Sequence, residues 1–172
     1  FREACFGDLA HTFLPAPGNQ PFDAVLCLGN SLPHAVDPGA LEAALSDFAA
    51  ILRPGGLLLL QNRNFDAVIC TQQRWMEPQA HREGEKEWLF QRFYDFLPSG
   101  VIQFNMITLR REGTQPWQQH VASSLLRPLT QSDLAAALPA AGFDAVQWFG
   151  GLSGEPFDAE KSGNLVVLAY KR

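Results

Sequence analysis

FDAVLCLGNSLPHAV, Phe22 to Val36, is the stretch on which the fold turns. Its first seven residues, Phe22 to Leu28, are a short continuous apolar run, the pattern of a strand buried within a parallel sheet. Asp37-Pro38 then opens a helix, with Pro at an early helical position behind a candidate Asp cap. Leu41, Ala44, Leu45, Phe48, Ile51 and Leu52 recur at spacings of three and four and form one apolar stripe. RPGG (Arg53 to Gly56) stops that helix, and LLLLQNRNFD (Leu57 to Asp66) begins as a second buried strand. Strand, helix and strand with short joins make a right-handed βαβ unit.

Beyond Asp66 the texture changes. Gln72 to Glu87 is polar and irregular, and three stretches with strand character follow: Trp88 to Leu97, Val101 to Arg111 and Gln115 to Arg127. PSG (Pro98 to Gly100) and EGT (Glu112 to Thr114) separate them with turn chemistry. Residues 72–127 therefore read as a β-rich insertion, an antiparallel meander within a single, partial domain spanning 1–172. TQSDLAAALPAAGF (Thr130 to Phe143) is a capped helix closed by Gly142, DAVQWFG is a strand, and SGNLVVLAYKR ends the chain with another. The fold class expected is α/β: a Rossmann-like, mostly parallel sheet with helices on both faces, an antiparallel last strand and the inserted meander.

The bulk composition narrows the function. The chain has 172 residues, 47% of them hydrophobic, enough for a substantial core. Its net charge is −5 and no Lys/Arg run occurs, so the concentrated positive field that nucleic-acid binding needs is missing. No apolar stretch approaches the roughly 20 residues of a membrane helix. Cys5, Cys27 and Cys70 are odd in number and without a CxxC, which reads as buried thiols in a reducing, cytoplasmic setting. His11, His34, His81 and His120 show no metal-ligand spacing. The opening FREACFGDL resembles the interior of a sheet protein, and the chain reads as a fragment.

In open α/β sheets ligands sit beyond the carboxyl ends of the strands. The first strand ends in Gly29, Asn30 and Ser31, a bare backbone followed by two uncharged hydrogen-bonding side chains. These residues are equally ordinary choices for a turn and helix cap. The second strand ends in Gln61, Asn62, Arg63 and Asn64, four polar residues at the neighbouring rim. An arginine there can clamp a carboxylate through two parallel hydrogen bonds.

FDAVLCLGNSLPHAV, ILRPGGLLLLQNRNFD and the ending AAGFDAV…SGNLVVLAYKR together resemble class I S-adenosylmethionine-dependent methyltransferases. Within that class the likeness is to glycine N-methyltransferase and its bacterial relatives, whose strands read much like ICLGNSFAHL and RPGGLLVIDHRNYD. The resemblance implies S-adenosylmethionine as cofactor and a small-molecule acceptor, an amino acid or small amine that becomes N-methylated. It further implies that Asp8 accepts a hydrogen bond from the adenine amine, with a backbone contact from Leu9. Leu28, Gly29 and Ser31 match positions that line the methionine half of the cofactor, and His34 matches the His of NSxxH on the same side. Asn30 and Arg63 match residues that hold the substrate, the Arg through its carboxylate.

The chain departs from the pattern in two ways. The Gly-rich loop and the acidic strand end that cradle the cofactor's carboxypropyl group and ribose in this class have no match in the 172 residues, so the chain alone is expected to bind cofactor poorly. The residues before Arg63 are Gln-Asn where the relative has Asp-His. An amine attacking an activated methyl needs alignment and exclusion of water more than a base, so no acid–base residue is assigned. The aromatic strand Trp88 to Phe96 could be a lid, or a face packed on the sheet or on another subunit of a homo-oligomer. The rival readings are a nicotinamide-binding Rossmann oxidoreductase and a non-catalytic methyltransferase-like domain serving as an oligomerisation or regulatory partner.

Overall fold

The computed structural model describes residues 2–14 and 20–172. The elements run in the order α1 (Leu9–Phe13), β1 (Phe22–Cys27), a 3₁₀ turn (Leu32–His34), α2 (Ala40–Ile51), β2 (Leu52–Arg63), α3 (Phe65–Thr71), β3 (Gln79–Glu83), β4 (Lys86–Phe96), β5 (Ile102–Glu112), β6 (Gln118–Leu126), α4 (Gln131–Ala140), β7 (Phe143–Phe149) and β8 (Asn164–Lys171). Two compact units result: Phe1–Ala67 with Leu129–Arg172, and Val68–Pro128.

The first unit is α/β. Its sheet has the order β1-β2-β8-β7. β1 and β2 are parallel, while β8 is antiparallel to both β2 and β7, so the sheet is mixed with an antiparallel last strand. Leu58, Leu60, Leu165, Val167 and Ala169 share one face and pack with Leu41, Leu45 and Phe48 of α2 and Leu134 and Leu138 of α4. On the opposite face and along the edge strand β1, Leu26 remains 61% exposed.

LRPGG owes its composition to a tight irregularity. Pairing with β1 jumps from Leu52 to Leu57, so Arg53 to Gly56 bulge out of the ladder. A Cβ on Gly56 would stand 2.8 Å from the Arg53 carbonyl oxygen, which excludes any larger residue there without a backbone shift. Arg53 closes the bulge on Asp23 of β1 at 2.6 Å.

Two helix starts differ in origin. α4 has a full capping box: the Thr130 side chain accepts from the Asp133 N–H, and the Asp133 carboxylate accepts from the Thr130 N–H. α2 does not use the expected Asp37 cap. Its N-cap is Gly39 at φ 78°, and only the Asp37 carbonyl takes part, accepting from the Ala40 N–H. The Pro38-Gly39 turn reaches the helix through a left-handed residue, which leaves no position for an Asp37 side-chain cap.

The second unit is an antiparallel sheet of order β3-β4-β5-β6. The meander expected from Trp88 onward is present as β4, β5 and β6. β3 lies inside the stretch read as irregular, because its five residues, QAHRE, are all exposed and show no alternation. It is held as a strand by the hairpin with β4, from Gln79 opposite Phe90 to Glu83 opposite Lys86.

The thiols differ from expectation as well. Only Cys27 is buried, and burial pushes its thiol up to about 11, partly offset by a hydrogen bond with the Leu32 backbone. Cys5 and Cys70 are exposed. Among the described residues no helix is long and apolar enough to cross a membrane, and no group of His, Cys, Asp and Glu could hold a metal ion.

Candidate active site

The polar ends of β1 and β2 meet. After Cys27 the chain turns through two consecutive left-handed residues, Gly29 at φ 71° and Asn30 at φ 63°. Gly adopts that conformation freely, and Asn tolerates it better than most side chains. The turn is fastened to β2 at three points: the Gly29 N–H donates to Gln61 Oε1 (2.7 Å), the Asn30 N–H to the Gln61 carbonyl (3.1 Å), and the Arg63 N–H to Asn30 Oδ1 (2.9 Å). Gln61 Nε2 then donates to Asn164 Oδ1 of β8 at 2.9 Å, so one belt of hydrogen bonds crosses three strand ends.

The belt separates residues whose polar groups are already used from those left available. The Ser31 hydroxyl donates to the Leu28 carbonyl at 2.7 Å, which leaves its oxygen lone pairs to accept. Leu28 is 37% exposed, and His34 is exposed at the end of the 3₁₀ turn. The Arg63 guanidinium is half-buried and forms no ion pair among the described residues. The Gly29 N–H is consumed by Gln61, so the glycine offers a bare approach and a carbonyl but no donor. A Cβ at Gly29 would meet nothing within 4 Å, which makes the backbone directly accessible there.

Asp8 and Leu9 are held by other contacts. Asp8 stands at the N-cap position of α1, but its carboxylate makes no cap hydrogen bond; among the described residues it accepts only from the Thr12 hydroxyl at 3.4 Å, and it is exposed. The capping acceptor comes from another helix. Asp47 of α2, buried, takes the Leu9 N–H at 2.6 Å and the Ala10 N–H at 2.8 Å. That contact spends the Leu9 backbone donor, leaving its carbonyl and side chain for any ligand.

The sequence places Gln61 and Asn64 at the rim without assigning them a structural role, and it does not point to Asp47 or Asp66. Asn64 is buried and donates to the carbonyls of Ala159 (3.0 Å) and Ser162 (2.9 Å), tying the loop before β8 to the end of β2. Asp66 accepts from the Gln131 N–H at 2.9 Å and supports the start of α4. Both stand in RNFD, so half of that motif serves architecture. A polar residue within an otherwise apolar helix stripe, as Asp47 is, was the available signal.

Asn62 is different: it is fully buried, and among the described residues neither its amide nitrogen nor its oxygen has a partner. A buried, unpaired amide costs about 1–3 kcal/mol. Asn62→Leu keeps the branching and removes both polar atoms, so the unfolding free energy is expected to rise by about 1–2 kcal/mol in chemical denaturation. A fall would show that Asn62 has a partner in solution.

The fold resembles that of solved S-adenosylmethionine-dependent methyltransferases. Among solved structures, a SAM-bound amino pentose methyltransferase from Micromonospora echinaspora superimposes with a TM-score of 0.66 at 19% identity, over 96% of this chain and 63% of that one. In sequence the chain is related to glycine N-methyltransferases. It is 42% identical to glycine N-methyltransferase of Rattus norvegicus over 59 residues, 32% of this chain and 20% of that protein. It is 33% identical to glycine/sarcosine N-methyltransferase of Parasynechococcus marenigrum over 113 residues, 57% of this chain and 38% of that protein. The chain thus spans about one to two fifths of the length of these relatives. No family model matches it.

Proposed function

We propose that this chain is the acceptor-binding part of an S-adenosylmethionine-dependent methyltransferase that N-methylates a small amine bearing a carboxylate. The observation that carries the reading is the 2.9 Å bond from the Arg63 N–H to Asn30 Oδ1, which joins both polar strand ends in one rim beside a guanidinium that has no ion-pair partner among the described residues. The relatives named for glycine and sarcosine supply the acceptor class, and the amino pentose enzyme supports a small amine more broadly.

The described residues fit the cofactor in part. Asp8 has an exposed carboxylate, with only the 3.4 Å contact from the Thr12 hydroxyl among the described residues, for the adenine amine, Leu28 an exposed apolar side chain, and Gly29 an open backbone. The N–H groups of Leu9 and Gly29 are already engaged. When bound, S-adenosylmethionine supplies an activated sulfonium methyl group.

The chain's own work is positional. Arg63 would take the acceptor carboxylate, a charge-assisted and geometrically specific contact. Asn30, with its oxygen fixed on Arg63, would turn its amide N–H groups toward the acceptor. Ser31 and His34 would line the cofactor side. Methyl transfer from the bound donor would leave the amine with a surplus proton that would pass to water, so no residue of the rim is assigned as a base. Holding nucleophile, methyl and sulfur in line is worth several kcal/mol of barrier.

The test is a panel of small amines, offered with S-adenosylmethionine to the protein at its natural length and read as S-adenosylhomocysteine release. A carboxylated amine preferred over its own amide supports the reading. Preference for an amino sugar or another carboxylate-free amine overturns the acceptor class. No release with any amine overturns the enzyme reading and leaves the non-catalytic partner.

A further inference from the structure

The bonds that fasten the rim are made without a charged side chain. The side chains joined across the ends of β1, β2 and β8 are the amides of Asn30, Gln61 and Asn164. Gln61 uses both ends of its amide: Oε1 accepts the Gly29 N–H at 2.7 Å, and Nε2 donates to Asn164 Oδ1 at 2.9 Å. Bonding alone does not demand amides here. A carboxylate is the stronger acceptor for a backbone N–H, so glutamate at 61 would hold Gly29 at least as well. Asn164 could then turn its own NH₂ group toward position 61. Aspartate at 164 would likewise accept from Gln61 Nε2 with no rearrangement.

The neighbour that both amides share is Arg63. Residues two apart on a strand lie on one face, roughly 7 Å apart, which puts Gln61 beside Arg63 on β2. Asn164 stands directly opposite Arg63 in the antiparallel pairing of β2 with β8, on that same face. The bond between Gln61 and Asn164 therefore runs alongside the arginine. Arg63 is half-buried and forms no ion pair among the described residues. A carboxylate at either position would give it a resident anion, in surroundings less screened than open water.

We infer that Gln61 and Asn164 are specificity-determining residues: as uncharged fasteners they hold the Gly29–Asn30 turn while leaving Arg63 uncompensated. The inference rests on the proposed reading, in which Arg63 takes the acceptor's carboxylate. With no resident anion the acceptor supplies the counter-charge, and an amine without a carboxylate leaves the cation unpaired. Discrimination thus depends on two neutral residues as well as on the arginine. A carboxylate at 61 or 164 would compete for the guanidinium and also repel an incoming carboxylate, two effects of the same sign.

Gln61→Glu and Asn164→Asp, made separately in the protein at its natural length, test it. Each is close to isosteric and keeps the acceptor oxygen that the belt uses, so the charge is what changes. The probes are glycine and glycinamide, with kcat/KM read from S-adenosylhomocysteine release. Each variant is expected to lower the preference for glycine over glycinamide by about 5- to 20-fold, chiefly through a higher KM for glycine. Gln61→Met, which breaks both amide bonds without adding charge, is expected to slow both acceptors and leave their ratio within about twofold. A wild type that prefers glycine, with both acidic variants keeping that preference, overturns the inference and leaves the acceptor reading intact. So does a Gln61→Met ratio that falls as far as that of Gln61→Glu, since position rather than charge then decides. A wild type with no preference for glycine overturns the acceptor reading, and the inference with it.

Discussion

On the proposed reaction, Arg63→Ala raises KM for a carboxylate-bearing acceptor by about 10- to 100-fold, while the Kd for S-adenosylmethionine stays within about twofold. The size follows from the charged hydrogen bonds lost, about 1.5–3 kcal/mol. The selectivity follows from position. Arg63 is attached to the rim through its backbone, whose N–H donates to Asn30, and the mutation leaves that bond in place. The belt through Gly29, Gln61 and Asn164 is likewise untouched. The left-handed turn should therefore hold its shape, and only the cation disappears. Arg63→Lys should recover little, because a point charge on a flexible stem does not reproduce the planar fork. Steady-state kinetics with acceptor varied, beside calorimetry of the cofactor, separates the two effects. Unchanged KM removes Arg63 from the site.

Asp47→Ala should be the most destabilising polar substitution at this end of the molecule. It strands two backbone N–H groups of α1 that are held at 2.6 and 2.8 Å by a buried carboxylate. The expected loss is about 2–4 kcal/mol, or a fall in Tm of roughly 5–15 °C for a chain of this size. Asp47→Asn retains one acceptor without the charge and should cost about half as much. Because α1 begins next to Asp8, cofactor affinity should fall with the same ranking, Ala more than Asn. A thermal melt within 2 °C of wild type for the alanine variant would sink the view that Asp47 caps α1.

Much of the fold was legible in the sequence. The stripe of α2 and the capped helix from Thr130 follow local rules and appear where those rules place them; the apolar run from Phe22 forms a strand, but a largely exposed one at the sheet edge, and RPGG is a bulge inside β2 rather than the join between helix and strand. The cap of α2 was misread, because Asp37 and Gly39 both suit a helix start and the choice lies in the φ of Gly39. β3 was missed because an exposed hairpin arm needs only its partner's backbone, and so carries no alternation.

The site was legible as residue types rather than as contacts. Asn30, Ser31 and Arg63 stood out as polar residues at two strand ends, which periodicity alone can assign. Which of their atoms remain available depends on bonds between residues about 30 positions apart, as with Asn30 and Arg63 or Gly29 and Gln61.

The sequence by itself determined β1, β2, the strands β4 to β8, the helices α2 and α4 and the two polar rims, because hydrophobic spacing and turn chemistry act over a few neighbouring residues. The tertiary structure alone decided that Asp47 caps a distant helix, that Gln61 holds the glycine turn and that Asn62 is buried unpaired. Those outcomes depend on which segments pack together and on how far each side chain is removed from water, and no local pattern encodes either.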